Sequence, residues 1–262
     1  MSKVNIKLAA GTDVGLVRKN NEDNLLFHGN ILEEEHLGIV GEWNHSPIST
    51  QEIQMYGVFD GMGGHSKGEY ASYIAASTAK KAAEFLKVAV RDEIIVLDDI
   101  CKRANHLICR KSKEEMIITG TTLSILIIKG GKYWSCNLGD SPIFRIRDGE
   151  ITSLYEEHTE KSVDEISYGK DKARGKSYPL TQYVGIPEDE LKLEPYVQYG
   201  DINRGDIFLL CSDGMTDMVS EKQICEILFG EDELGNKIKH LEQCSLENGG
   251  KDNITIIGVE IL

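Results

Sequence analysis

Apolar and small residues recur along this chain with two spacings, and the change from one to the other divides it into elements. Ala71, Ile74, Ala75, Thr78, Ala82, Phe85 and Leu86 return every three or four positions, the period of a helix with one buried face. Ile94, Leu97, Cys101, Ala104 and Ile108 repeat that pattern between 92 and 113, which predicts a second amphipathic helix after the first at 67–88. The period then shortens. TTLSILIIK (121–129), KYWSCNL (132–138), SPIFRIR (141–147) and EITSL (150–154) read as strands, separated at two places by Gly130-Gly131 and Asp148-Gly149, dipeptides suited to tight hairpin turns. DIFLLCS (206–212) and NITIIGVEIL (253–262) read as further strands, the latter alternating in twos, and helices are expected at 220–229 and 231–247.

Helices grouped between runs of antiparallel strands predict an α+β layered fold rather than a repeated βαβ unit. Two segments lack periodicity: 29–52, an insertion between two expected strands, and 156–203, which is polar and lysine-rich. Loops of that length are usually functional or mobile. With no internal repeat, residues 1–262 read as a single domain.

Composition narrows the function. A chain of 262 residues, 40% hydrophobic and 27% charged, can bury a substantial core. Its apolar runs fall short of the ~18 residues of a membrane span, and its first residues lack the apolar stretch of a secretion signal. The net charge of −14 argues against a nucleic-acid partner, which needs a basic face, and against adhesion to an anionic membrane. Six cysteines, at 101, 109, 136, 211, 225 and 244, form no C-x-x-C pair and read as buried, reduced thiols of a cytoplasmic protein.

Candidate chemistry lies where strands give way to turns. Asp23 precedes an apolar run in RKNNEDNLL, Asp60 ends YGVFD before Gly61, and Asp140 ends KYWSCNLGD. Asp213 ends DIFLLCSD before Gly214, and Asp252 sits in GGKDN before the last strand. Any one of these is ordinary turn chemistry, with Asp bonding its own backbone. Several together could share a site only with cations, because close carboxylates repel. Oxygen ligands without His or Cys suit Mg²⁺ or Mn²⁺ rather than zinc. The glycine-rich loop after Asp60, GMGGHSKG, fits neither phosphate-cradle pattern, G-x-x-x-x-G-K-[ST] or G-x-G-x-x-G. It is therefore expected to let the chain pass close to a metal at Asp60, with the Gly61 carbonyl as a further ligand. His65 reads equally as a structural or a catalytic histidine. Arg18, taken alone, reads equally as a surface ion pair with Glu22.

RKNNED (18–23), VFDGMGGHSKGEYAS (58–72), GTTLS (120–124), NLGDSPIFRIRDGEI (137–151), LLCSDGMTD (209–217) and GGKDNIT (249–255) resemble, in order, the motifs of the metal-dependent protein phosphatases of protein phosphatase 2C type, in their bacterial style. The resemblance runs from about residue 8 to 262. It implies a four-layer α-β-β-α sandwich, two antiparallel β-sheets flanked by helices. It also implies two Mn²⁺ or Mg²⁺ ions, with a third site in bacterial members, and phosphoserine or phosphothreonine proteins as substrates. By position, Asp60 would bridge both metals and Gly61 would offer its carbonyl. Asp213 and Asp252 would complete one shell, and Asp23 with Glu22 would hold the other metal directly or through water. Asp140, with Asp213, matches the third site, and Arg18 the phosphate-binding arginine. The implied reaction is a single in-line attack on phosphorus by hydroxide bridging the metals, opposing a serine/threonine kinase in the cytoplasm, with the enzyme a monomer.

Two positions depart from the family. Met62 stands where animal members carry a histidine proposed as general acid, so the proton must come from a metal-bound water or another side chain, with His65 as a candidate. Gln182 stands where many bacterial members have an arginine in the flap at 156–203. The alternative implied function is a pseudophosphatase that docks phosphoproteins without hydrolysing them.

Overall fold

The computed structural model describes residues 5–39, 48–49, 53–63, 67–88, 91–160 and 178–262. Among these, the chain forms β1 (Asn5–Asp13), β2 (Asp23–Phe27), β3 (Asn30–Ile31), β4 (Gly38–Ile39), β5 (Ile48–Ser49) and β6 (Gln54–Met62). Helices α1 (Gly68–Leu86) and α2 (Glu93–Glu115) follow, then β7 (Gly120–Thr121), β8 (Leu123–Lys129), β9 (Lys132–Leu138), β10 (Ile143–Arg147) and β11 (Glu150–Ser153). The last part holds β12 (Tyr196–Asp201), β13 (Ile207–Cys211), α3 (Asp213–Thr216), α4 (Glu221–Phe229), α5 (Leu234–Glu247) and β14 (Ile254–Ile261).

The strands form two antiparallel sheets. One runs β11-β10-β13-β14-β1-β4, with β5 also on β1; the other runs β12-β9-β8-β6-β2-β3, with β7 on β6. Alternation along the strands explains the stacking. Ile6, Leu8, Tyr56, Val58, Leu126, Phe208, Leu210 and Ile257 point between the sheets. The opposite faces carry the helices. Ala71, Ala75, Leu97, Cys101 and Ile108 of α1 and α2 pack on Phe59, Ile125 and Cys136. Ile224, Leu228, Ile238 and Leu241 of α4 and α5 pack on Phe144, Leu209 and Ile256. The expected four-layer α-β-β-α sandwich is the observed fold.

Two strands longer than two residues were not expected, beside the short β3, β4 and β5 within 29–52. β1, NIKLAAGTD, has little alternation, yet it lies between β14 and β4, where pairing on both sides outweighs weak local preference. β12 lies inside the supposedly irregular 156–203 and pairs residue for residue with β9, Tyr196 opposite Asn137 through Asp201 opposite Lys132. The strand expected at 121–129 is broken at Thr122: β7 pairs with the end of β6, and β8 begins at Leu123. The remaining helix boundaries shift little, and Ser220 with Gln223 forms a reciprocal capping box at the start of α4, which satisfies two otherwise free backbone donors. His65, residues 161–177 of the flap and part of the 29–52 insertion lie outside the described residues. Among the described residues, no helix is long and apolar enough to cross a membrane.

Candidate metal centre

One end of the sandwich collects the strand-end aspartates. Asp23 opens β2 directly opposite Asp60 on β6, so two carboxylates face each other across adjacent strands. Asp213 begins α3 at the end of β13, Asp252 lies just before β14, and Asp140 follows β9. The ends of both sheets thus deliver acids from distant parts of the sequence to one place.

Backbone contacts hold Asp60 from both sides. Its carbonyl accepts from Thr122 N–H at 2.8 Å and Thr121 Oγ1 at 2.9 Å, and its N–H donates to Thr122 Oγ1 at 3.0 Å. The break between β7 and β8 is the means of this grip. Gly61 must be a glycine: a Cβ there would stand 2.3 Å from the Gly68 carbonyl and 2.4 Å from that of Glu22. The glycines therefore serve close passage of three backbones, and the Gly61 N–H bonds the Glu22 carbonyl at 3.1 Å.

Asn253 organises the other side. Its Oδ1 accepts the Glu22 N–H at 2.8 Å, and its Nδ2 donates to the carbonyls of Val14 at 2.9 Å and Asn20 at 3.0 Å. Ser212 donates to Asp23 Oδ2 at 2.8 Å. Arg18, half exposed, donates to Asp252 Oδ2 at 2.6 Å. The local alternative of an ion pair with Glu22 is therefore not the contact formed; the partner lies far away in sequence.

The electrostatics follow from enclosing like charges. Burial raises the Asp60 carboxyl well above its ordinary range, and repulsion from Asp23, Asp213, Asp140 and Asp252 adds to it. Burial likewise raises Asp213, next to Asp140, Asp217, Asp252 and Asp23. Burial pushes Asp23 up to about 6, against hydrogen bonds from Thr255 and Ser212 that hold it down. Glu22 rises to about 7 through burial and then Glu69, with Arg18 opposing. Asp23 Oδ1 is enclosed and has no hydrogen-bond donor among the described residues. Such a set is stable when a cation shares it, and an acceptor-only set of hard oxygens fits Mg²⁺ or Mn²⁺. Among the described residues, no three such side chains are drawn tightly enough to close on one ion. Asp23, Asp213, Asp140 and Asp252 are the charged neighbours of Asp60.

The described part of the 29–52 insertion belongs to this site. His36 Nε2 donates to the Asp23 carbonyl at 2.9 Å. Glu34, Glu35, His36 and Leu37 line, with Asn20, Asn21 and Glu69, a cavity of about 390 Å³. Gln182 is buried and spends its amide on the Lys192 carbonyl and the Glu194 N–H, both at 3.3 Å, so it shapes the flap's base. Thr121, Thr122, Ser212, Asn253 and His36 were not singled out in the sequence. Only the placing of Asn253 beside Asp252, and of the threonines inside GTTLS, could have signalled them.

The protein phosphatase 2C family model matches residues 46–246. The chain belongs to the protein phosphatase 2C family. It is 30% identical over 257 residues to the serine/threonine phosphatase stp of Listeria monocytogenes serotype 4b, covering 95% of this chain and 93% of that one. It is 28% identical over 261 residues to the serine/threonine protein phosphatase PstP of Mycobacterium tuberculosis, covering 98% of this chain. The chain spans 45% of the length of that protein. The crystal structure of the PstP catalytic domain in complex with two manganese ions superposes with a TM-score of 0.78 at 27% identity, over 99% of both chains.

Proposed function

We propose that this phosphatase 2C family member hydrolyses phosphoserine and phosphothreonine in proteins, opposing a serine/threonine kinase, with the aspartate cluster at the end of the sandwich as its metal centre. The observation that carries the reading is Asp60, enclosed among Asp23, Asp213, Asp140 and Asp252, with Arg18 beside them. Asp60 and the Gly61 carbonyl would hold two Mn²⁺ or Mg²⁺ ions between them, as the PstP catalytic domain holds two manganese ions. Asp213 and Asp252 would complete one shell and Asp23, with Glu22, the other; Asp140 and Asp213 would take a third ion. Bound there, the cations supply Lewis acidity and activated water at neutral pH.

The chain's own groups do the rest. Arg18 is half exposed and already grips one carboxylate, so its guanidinium can turn two donors to the oxygens of a phosphoryl group. Thr121 and Thr122 fix the Asp60 backbone, which keeps its carboxylate from relaxing away from its neighbours. The neighbouring acids repel a bare phosphate dianion until cations offset them, which ties substrate binding to metal loading. Met62 carries no transferable proton, and His65 lies outside the described residues.

The test is turnover of a phosphothreonine peptide by the full chain with Mn²⁺, with and without chelator, beside Asp60→Asn. Metal-dependent phosphate release that the substitution abolishes is expected. Equal rates with chelator, or for Asp60→Asn, overturn the reading; phosphopeptide binding without release favours the pseudophosphatase.

A further inference from the structure

Asp140 sits in a turn whose neighbouring peptide is held by a residue that the metal centre itself does not include. Gly139 has φ +106°, and a Cβ there would stand 2.7 Å from the Thr122 side chain. The turn thus rests on the threonine that grips Asp60. Thr122 Oγ1 and Ser141 Oγ are 2.6 Å apart, which ties the turn to Thr122 a second time.

The outer side of the turn is clamped by His158. The Gly139 N–H donates to His158 Nδ1 at 3.2 Å, and the His158 N–H donates to the Gly139 carbonyl at 3.1 Å. Both groups of one peptide residue are therefore taken by one partner. Nδ1 can accept only in a neutral ring whose proton is on Nε2, so the amide fixes the tautomer. Asn137 completes the clamp, its Nδ2 donating to the Gly139 and Glu156 carbonyls and its Oδ1 accepting the Glu156 N–H.

His158 also faces the other way. Its carbonyl accepts the Thr181 N–H at 2.8 Å, and Thr159 bridges Leu180, so His158 lies where the flap leaves and rejoins the sandwich. The returning chain then pairs Val184 with Thr121, N–H to carbonyl at 2.9 Å in both directions. Thr121 and Thr122 are the two residues holding Asp60, and the flap base touches both, directly at Thr121 and through His158 and Gly139 at Thr122.

We propose that His158 is a positioning residue for the metal centre: by taking the Gly139 peptide it sets the place of Asp140 and links it to the flap base at Thr181. The proposal rests on the metal-centre reading above. It accounts for why a histidine, whose Nδ1 lies close to its own backbone, occupies a position where a longer side chain would overshoot the amide. Asn places Oδ1 where His places Nδ1, whereas Gln places its amide group near the position of Nε2, so the two amides separate acceptor geometry from mere polarity.

The experiment measures Mn²⁺ binding to the full chain by calorimetry without substrate, the Mn²⁺ dependence of phosphopeptide hydrolysis, and urea stability. The variants are His158→Ala, His158→Asn and His158→Gln, alone and with Asp140→Asn. Loss of a partner that orients a ligand typically weakens metal binding about 10- to 100-fold, so His158→Ala and His158→Gln should show at least the lower loss in the Asp140-dependent ion. His158→Asn should recover most of it, and His158→Ala should add nothing once Asp140 is Asn. Unchanged Mn²⁺ binding in all three variants, Asn no better than Gln, or the same loss with and without Asp140 would each overturn the proposal. If His158→Ala does not fold, the Asn and Gln pair still decides. Wild type that neither binds Mn²⁺ nor releases phosphate would instead overturn the metal-centre reading itself.

Discussion

Replacing Asn253 with alanine removes three hydrogen bonds that no other residue supplies. Its side chain joins the strand end carrying Asp252 to the Glu22 N–H and to the Val14 and Asn20 carbonyls, and the residue is only 5% exposed. At about 1 kcal/mol net per bond the upper limit is about 3 kcal/mol. The loop carrying the two carbonyls is open, with Leu16 and Val17 largely exposed, so water can replace part of the loss. About 2 kcal/mol remains, a fall in Tm of about 4–8 °C for a chain of this size. The functional effect should exceed the structural one, because the freed loop carries Arg18 and Glu22. At temperatures where the variant is fully folded, kcat/KM on a phosphothreonine peptide should drop more than about thirtyfold, an increase in barrier above about 2 kcal/mol. Urea unfolding and steady-state kinetics at saturating Mn²⁺ read the two effects separately. An Asn253→Ala protein within about 0.5 kcal/mol of wild type and with unchanged kcat/KM would refute this reasoning. It would show that the Leu16 N–H to Gly250 bond at 2.7 Å and the Arg18–Asp252 pair hold the loop by themselves.

Three further outcomes follow from the same geometry. Arg18→Ala should lose charge-assisted bonds to the phosphoryl group of about 1.5–3 kcal/mol, about ten- to a hundredfold in kcat/KM, with Arg18→Lys recovering only part because it lacks the fork. Gly61→Ala, whose Cβ would meet the Gly68 carbonyl at 2.3 Å, should unfold or lose turnover, whereas Gly130→Ala meets nothing within 4 Å and should cost only its left-handed backbone, about 1–2 kcal/mol. Glu242 on α5 faces Gly11 with an Oε1 that has no hydrogen-bond partner among the described residues, and burial followed by Asp13 raises its pKa above the ordinary 4.5. The folded state then holds the proton more tightly, so this stability is present at low pH and lost as pH rises through the raised pKa. Glu242→Gln should therefore raise Tm relative to wild type at about pH 7.5, with the gap closing towards about pH 4; a gap independent of pH would exclude Glu242 as its cause.

What was legible in the sequence, and what was not, divides along a physical line. Strand-end aspartates beside glycine could be read because each leaves a local signature, a periodic apolar run broken by an acid and a residue without Cβ. The layering could be read for the same reason, since helical and strand periods need only near neighbours. β1 could not, because NIKLAAGTD owes its strand conformation to β14 on one side and β4 and β5 on the other. Nor could the partner of Arg18. Glu22, four residues away, is the local choice, but the guanidinium pairs with Asp252 because the turns before β2 and β14 meet at the same end of the sandwich.

Apart from Ser212, which donates to Asp23 Oδ2, the residues that sequence reading passed over act on backbone rather than on a candidate ligand. Thr121, Thr122, Asn253 and His158 place their side-chain bonds on peptide groups, and a lone Thr, Asn or His bonding a distant peptide has no spacing to betray it. Yet they answer the difficulty that the aspartates pose. Five acids at one end of a sandwich repel, and each would relax outward on a pliable turn; peptides fixed by Thr122, Asn253 and His158 remove that freedom at Asp60, Glu22 and Gly139. Fixed backbone holds the carboxylates in place without engaging every oxygen: Asp23 Oδ1 has no hydrogen-bond partner among the described residues. On the proposed reading, cations would share the acceptors of these aspartates while the surrounding residues supply rigidity.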